Sequence, residues 1–279
     1  MRARRPTPSK SPFWTSISKN LSKSAKPVLE LRGVSKQYAG GIKAVRDVSL
    51  SLDEGKLLAL TGTSGCGKTT LLKLINRLEE PSGGSIVYEG ADVRQFDAFR
   101  LRRQIGWVMQ GDGLFPHFTV RQNIAVVPRL LEWDIATTEL RVREMMQLVQ
   151  LDVEAFGERY PHELSGGQRQ RVGFARALAG KPDLVLMDEA FSALDPLTRD
   201  DLQRDFKRLQ SELGFSAVLV THDMAEALIL ADEIAVMRDG QFVQSGTPSQ
   251  LLAEPADDYV AGLLDTPRRQ MRAIAELGG

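Results

Sequence analysis

Gly62-Thr63-Ser64-Gly65-Cys66-Gly67-Lys68-Thr69 decides how this chain is read. Glycines let the backbone turn tightly, so that successive N–H groups converge on one point. The run follows Leu57-Leu58-Ala59-Leu60, an apolar stretch typical of a strand buried on both faces. It precedes an expected helix with Leu71, Leu72, Ile75 and Leu78 on one face, which Pro81 is expected to stop. A glycine loop between a buried strand and a helix N-terminus cradles phosphate, because converging amides and the helix dipole both favour an anion. The spacing G-x-x-x-x-G-K-[ST] places Lys68 to reach the β- and γ-phosphates of a nucleotide and the Thr69 hydroxyl to bind Mg²⁺. The candidate cradle therefore runs through Gly62, Thr63, Ser64, Gly65, Cys66, Gly67, Lys68, Thr69 and Thr70. Cys66 is read as a small space-filling residue, although a thiol at this place would make turnover sensitive to alkylation.

Outward from the loop, strands and helices alternate. Residues 28–32, 44–52 and 85–88 read as strands, and Ala39-Gly40-Gly41 as a turn. Buried apolar runs recur at Ile105–Val108, Leu184–Met187, Ala217–Val220 and Ile234–Met237. Residues 119–157 look helical, with Leu140, Met145, Leu148 and Leu151 among their apolar positions. Such alternation argues for an α/β fold with a mainly parallel sheet covered on both faces. The helical block near 115–165 interrupts it and reads as an inserted subdomain.

Composition bounds the function. The chain has 279 residues, 42% of them hydrophobic, and 36 basic against 36 acidic side chains. That balance is ordinary for a globular protein and excludes a disordered chain or a bundle of spanning helices. One cysteine excludes a disulfide framework and a Cys-based zinc site, and with three scattered histidines no His-rich metal site is expected. Seven of the basic residues fall in 1–27 with no acid, which leaves 29 basic against 36 acidic in the remainder. An acidic body is a poor partner for phosphate backbones, so no nucleic-acid role is expected. The Ser/Pro-rich leader, 1–27, reads as a disordered basic tail. Phe13, Ile17 and Leu21 within it could form a short amphipathic helix on an anionic membrane surface.

A second acidic element fits the first. Leu184-Val185-Leu186-Met187-Asp188-Glu189 is a buried strand ending in two carboxylates, at the strand end where such sheets bind ligands. Taken alone, two such acids make a solvated loop. Beside the glycine loop, Asp188 is expected to hold Mg²⁺ through its water shell, and Glu189 to orient and deprotonate an attacking water. Leu164-Ser165-Gly166-Gly167-Gln168 begins a further helix, and Ser165 with Gln168 fits a capping box. Two glycines at a helix start make a second anion-facing terminus, one more than a single nucleotide needs.

With that run the chain resembles the ATP-binding cassette (ABC) transporter ATPases over residues 28–265, leaving 266–279 as a tail. The resemblance implies a P-loop NTPase (RecA-like) core with an N-terminal antiparallel β subdomain and an inserted α-helical subdomain. LSGGQ is the family signature, which implies that Ser165, Gly166, Gly167 and Gln168 complete the ATP site of a second copy packed head to tail. Gln110 matches the Q-loop glutamine that senses Mg²⁺ and γ-phosphate. Ser192-Ala193-Leu194-Asp195 looks like the D-loop, although Asp195-Pro196 is equally a helix start. His222 matches the switch histidine at the γ-phosphate, and Tyr38 the aromatic that stacks on adenine. Asp223 and Glu226 are expected to cap the next helix. His117 and His162 flank family motifs and are assigned no chemistry.

The implied cofactors are ATP and Mg²⁺. The implied partners are an integral-membrane permease and, indirectly, a substrate-binding protein, with this chain peripheral on the cytoplasmic side of the inner membrane. Leu114, Phe115 and Phe118, after Gln110, read as an apolar landing site for the permease. Residues 74–83, 114–131 and 189–199 look most like the ATPases of osmoprotectant importers, which carry glycine betaine, choline, carnitine or related quaternary amines. The alternatives are an importer for amino acids or another small polar solute, a soluble non-transport ABC ATPase, and a regulatory subunit without turnover. The short stretch after the last strand leaves no room for the paired regulatory domain of several relatives, so ionic-strength sensing by one is not expected.

Overall fold

The computed structural model describes residues 27–111, 113–192 and 194–277, with side chains through Arg269. The helix expected around Phe13, Ile17 and Leu21 lies outside the described residues, as do Asp112 and Ala193 of two expected motifs.

The chain opens on two long antiparallel strands, β1 (Pro27–Gln37) and β2 (Lys43–Asp53). β1 outruns the expected 28–32 because its polar second half still pairs with β2 at Val34, Lys36 and Gln37. The buried strand β3 (Leu57–Thr61) then leads through the glycine loop into α1 (Lys68–Ile75). α1 stops well before Pro81. Arg77 turns left-handed (φ 49°), and its guanidinium donates to Val93 O and Phe96 O, which draws the chain off the helix axis. Leu78 therefore lies beyond the helix and is 52% exposed, not on its buried face as expected.

β4 (Gly83–Tyr88) and the short β5 (Ala91–Asp92) complete an antiparallel sheet in the order β2-β1-β4-β5. α2 (Ala98–Gln104), capped by Asp97, delivers the chain to β6 (Ile105–Val108). The stretch expected as helical over 119–157 is three helices: α3 (Val120–Leu130), α4 (Ile135–Leu148) and α5 (Val153–Phe156). Left-handed Glu132 and Gln150 end the first two, and Asp134 and Asp152 cap the next. Leu140, expected among the apolar positions, is 61% exposed, whereas Met145 and Leu151 are buried.

α6 (Gly166–Ala179) returns the chain to β7 (Leu184–Asp188). Alternation resumes with α7 (Pro196–Leu213), β8 (Ser216–Val220), α8 (Met224–Leu230) and β9 (Glu233–Arg238). The hairpin strand β10 (Gln241–Gly246), α9 (Pro248–Ala253) and α10 (Asp258–Leu277) follow, and α10 runs through residue 265.

The second sheet has the order β10-β9-β3-β8-β7-β6 and is parallel except at β10. Strand parity divides its side chains between two faces. Val185, Met187, Ala217 and Leu219 pack with α3, α4, α6 and α7, while Leu184, Leu186, Val218 and Val220 pack with α1 and the antiparallel sheet. Being covered on both sides is what permits the uninterrupted apolar runs seen in the sequence.

Candidate functional site

Strand order builds the site. Because β3, β8, β7 and β6 are neighbours and parallel, the residues that follow their carboxyl ends share one rim. The glycine loop leaves β3, His222 follows β8, Asp188 and Glu189 end β7, and Gln110 follows β6.

The loop itself is pressed between two backbones. Gly62 has φ 139° and Gly67 φ 110°; a Cβ on the first would stand 2.1 Å from Met237 O, and on the second 2.3 Å from Ala44 O. Thr63, Ser64 and Gly65 are exposed along the outer turn, Thr70 is half-buried, and Cys66 is a buried free thiol in the same core cluster as Leu71 and Val45. That placement agrees with a space-filling role for Cys66. Lys68 is buried; its Nζ donates to Gly62 O (2.7 Å) and Thr63 O (3.0 Å) and lies 3.6 Å from Cys66 Sγ.

The Asp188 carboxylate meets the loop motif directly. Thr69 Oγ1 donates to Asp188 Oδ1 at 3.0 Å. Burial pushes the Asp188 carboxyl above its ordinary range; the Glu189 charge adds to this, and the Thr69 hydrogen bond, Lys73 and Lys68 oppose it. Thr69, Asp188 and Gln110 offer hydroxyl, carboxylate and amide oxygens, a donor set that fits a hard divalent cation such as Mg²⁺. Gln110 Nε2 donates to Glu189 Oε2 (2.9 Å), and His222 Nδ1 lies 3.4 Å from Glu189 Oε1. One carboxylate is thus addressed on each oxygen from a neighbouring strand end. Glu189 sits left-handed at φ 49°, with its N–H on Val220 O (2.9 Å). Such a backbone costs a non-glycine residue about 1 kcal/mol or more and recurs at functional sites.

A second cluster forms apart from the first. Ser165 caps α6, and Gln168 returns the hydrogen bond in the expected box (3.2 and 2.9 Å). Asp195 caps α7 through Thr198 N (3.1 Å), and Thr198 holds its carboxyl below the usual range. A Cβ on Gly167 would stand 2.4 Å from Thr198 Cγ2, so these two helix starts abut. Among the described residues no hydrogen bond joins Ser165–Gln168 to the glycine loop. Tyr38 stands apart again, half-buried after β1 with Lys36 Nζ 5.0 Å from its ring centroid.

The helices behind the two clusters are cross-linked, which was not anticipated. Arg199 Nη1 approaches Asp223 Oδ2 (3.9 Å), Gln203 Nε2 donates to Glu226 Oε1 (2.8 Å), and Lys207 Nζ donates to Leu230 O (3.0 Å). The polar stripe at 199, 203 and 207 on α7 was the available signal. Asp223 alone caps α8, accepting from Ala225 N and Glu226 N. Glu226, expected as a co-cap, instead turns inward and is buried. Burial raises its carboxyl above the ordinary 4.5, with hydrogen bonds from Thr221 and Gln203 opposing. A raised folded-state value means that stability is lost as pH climbs from about 4.5 through the folded value. Glu226→Gln is therefore expected to raise Tm relative to the parent at pH 7–8, with the gain shrinking toward acid. Thermal unfolding across pH checks this; a difference independent of pH would contradict it.

A family model described as ABC transporter matches residues 45–192. The chain belongs to the ABC transporter family. This ABC cassette is 51% identical over 241 residues, or 86% of its length, to the choline transport ATP-binding protein OpuBA of Bacillus subtilis. It is 47% identical over 251 residues, 90% of its length, to the glycine betaine uptake system ATP-binding protein YehX of Escherichia coli K12. The chain spans 63% of the length of the first relative, less than two thirds, and 78% of the second. Among solved structures it resembles the ATP-binding cassette MJ0796, a dimer bound to ADP and Pi. There the TM-score is 0.71 at 32% identity, covering 79% of this chain and 98% of that one. The fold expected from the sequence is the fold found.

Proposed function

We propose that this ABC cassette is the ATP-hydrolysing subunit of a membrane importer for quaternary-amine osmoprotectants such as glycine betaine, choline or carnitine. The observation that carries hydrolysis is the Glu189 carboxylate, held between Gln110 and His222 on the rim shared with the glycine loop. The loop amides and Lys68 bind the β- and γ-phosphates of ATP. Glu189 orients a water and takes its proton as the water attacks the γ-phosphorus. His222 contacts the γ-phosphate, and Tyr38 stacks on adenine. Thr69, Asp188 and Gln110 would hold Mg²⁺, which would supply neutralising charge for the phosphate oxygens.

Two half-sites that do not meet within one chain support closure by a second copy, head to tail, with Ser165–Gln168 of each facing the other's loop. The dimeric cassette MJ0796 supports the same reading. Among the described residues no helix is long and apolar enough to cross a membrane, and in this reading a permease supplies the passage. The cassette then acts at the cytoplasmic face of the membrane, served indirectly by a substrate-binding protein. The relatives named for choline and glycine betaine support the solute class. Uptake of labelled betaine and choline by the permease that co-purifies with this chain tests it; transport of amino acids alone would favour the runner-up.

The permease contact is narrower than the sequence suggested. Leu114 is buried in the core, so the landing area falls to Phe115, 41% exposed, and half-buried Phe118 at 5.3 Å from it. Phe115→Asp is expected to leave basal ATP hydrolysis within about twofold while abolishing uptake, because a charge there opposes an apolar contact. Full transport by this variant would remove Phe115 from the interface.

A further inference from the structure

The first peptide of the glycine loop is held at both ends. Its carbonyl, Gly62 O, accepts from Lys68 Nζ at 2.7 Å. Its N–H, on Thr63, donates to the hydroxyl of Tyr259 at 3.0 Å. A trans peptide is planar, so fixing the N–H on one side aims the carbonyl on the other. Glycine at 62 (φ 139°) leaves this plane free to flip, since no side chain opposes the rotation. Tyr259 removes that freedom.

The hydroxyl is itself anchored. It donates to Met237 O at 3.1 Å, the same carbonyl that a Cβ on Gly62 would strike. The ring lies against the Arg238 guanidinium, 5.0 Å from centroid to Cζ. Arg238 Nη1 in turn donates to Asp257 Oδ2 (2.8 Å), and Asp257 Oδ1 accepts from Val260 N (2.9 Å), fixing the first turn of α10. β9 and α10 thus clamp Tyr259, and its oxygen bridges β9 to the loop.

We propose that Tyr259 is a positioning residue of the nucleotide site: its hydroxyl orients the Gly62–Thr63 peptide and, through the Gly62 carbonyl, Lys68. The start of α10 thereby belongs to the frame of the phosphate loop. This rests on the reading of that loop as the ATP site.

Tyr259→Phe removes one oxygen and keeps the ring against Arg238. The Kd for MgATP, measured by calorimetry on the full chain, is expected to rise about threefold to tenfold, the range for one net hydrogen bond. Saturating kcat of the assembled transporter should stay within about twofold, since the group acts on binding and not on the attacking water. Amide exchange at Thr63 should accelerate about tenfold or more, with Leu58, Ala59 and Leu60 of β3 unchanged. A parental Kd in Tyr259→Phe overturns the proposal, as does acceleration spread equally over Thr63 and β3. A parent chain that binds no MgATP overturns the reading of the loop itself, a result distinct from either.

Discussion

Glu189→Gln is expected to lower ATP hydrolysis by the assembled transporter about 10²- to 10⁴-fold while leaving MgATP affinity close to the parent's. The magnitude is that of removing one positioned general base. The substitution suits the purpose because it changes almost nothing else. An amide has the shape of the carboxylate, so Gln110 and His222 retain a partner at the distances now seen, 2.9 and 3.4 Å. The strained backbone at φ 49° and the bond from residue 189 N to Val220 O do not depend on the side chain's charge. Lys68, Thr69 and the loop amides are untouched, so binding should survive the loss of turnover. With hydrolysis blocked, the triphosphate stays between two copies, and size-exclusion chromatography with MgATP should show a dimer that the parent forms only transiently. Equal rates in parent and variant would deny Glu189 the role of base and favour a regulatory subunit that binds without turning over. A variant that loses affinity in step with rate would instead place Glu189 among the binding groups.

Some of this was legible in the sequence, because the informative residues are constrained by local chemistry. Gly62, Gly65 and Gly67 stand where the backbone turns to positive φ, and Ser165, Asp195 and Asp223 cap the helices they precede. Fully buried parallel strands read as apolar runs because both faces are covered. Harder to see was anything decided by distant partners. Arg77 ends α1 through carbonyls near the start of α2, so local periodicity carried the helix on to Leu78. The breaks between α3, α4 and α5 rest on Glu132 and Gln150 adopting left-handed backbones, a state their residue types do not advertise. Glu226 resembled a capping acid, but Asp223 had already satisfied both N–H groups, which left Glu226 free to face Gln203. Tyr259 lies far along the chain from the loop it touches, and only the sheet order, with β9 beside β3, brings them together.

Gly67→Ala is expected to reduce MgATP binding at least about 100-fold and to lower Tm by several degrees. Two separate costs act at this position. Left-handed space is unfavourable to alanine by about 1–2 kcal/mol, and Gly67 has φ 110°. The added Cβ would also stand 2.3 Å from Ala44 O, a backbone atom of β2 that cannot rotate away. Together these come to roughly 2–4 kcal/mol, within the range of severe single substitutions. The loop escapes only by moving off β2, and Gly67 is the N-cap of α1, whose carbonyl takes the first helical bond, from Leu71 N at 2.9 Å. Displacing it turns the helix start, and Lys68 and Thr69 with it, away from the phosphates. Gly65→Ala separates the two costs, since Gly65 shares a positive φ (78°) but a Cβ there would meet nothing within 4 Å. That variant should lose only the first cost, about 1–2 kcal/mol of stability, and keep most of its nucleotide affinity. Equal losses in the two variants would mean that backbone strain alone matters and that the closeness of β2 to the loop has no bearing on phosphate binding. A parental affinity in Gly67→Ala would refute the argument that this loop, in this conformation, holds the nucleotide.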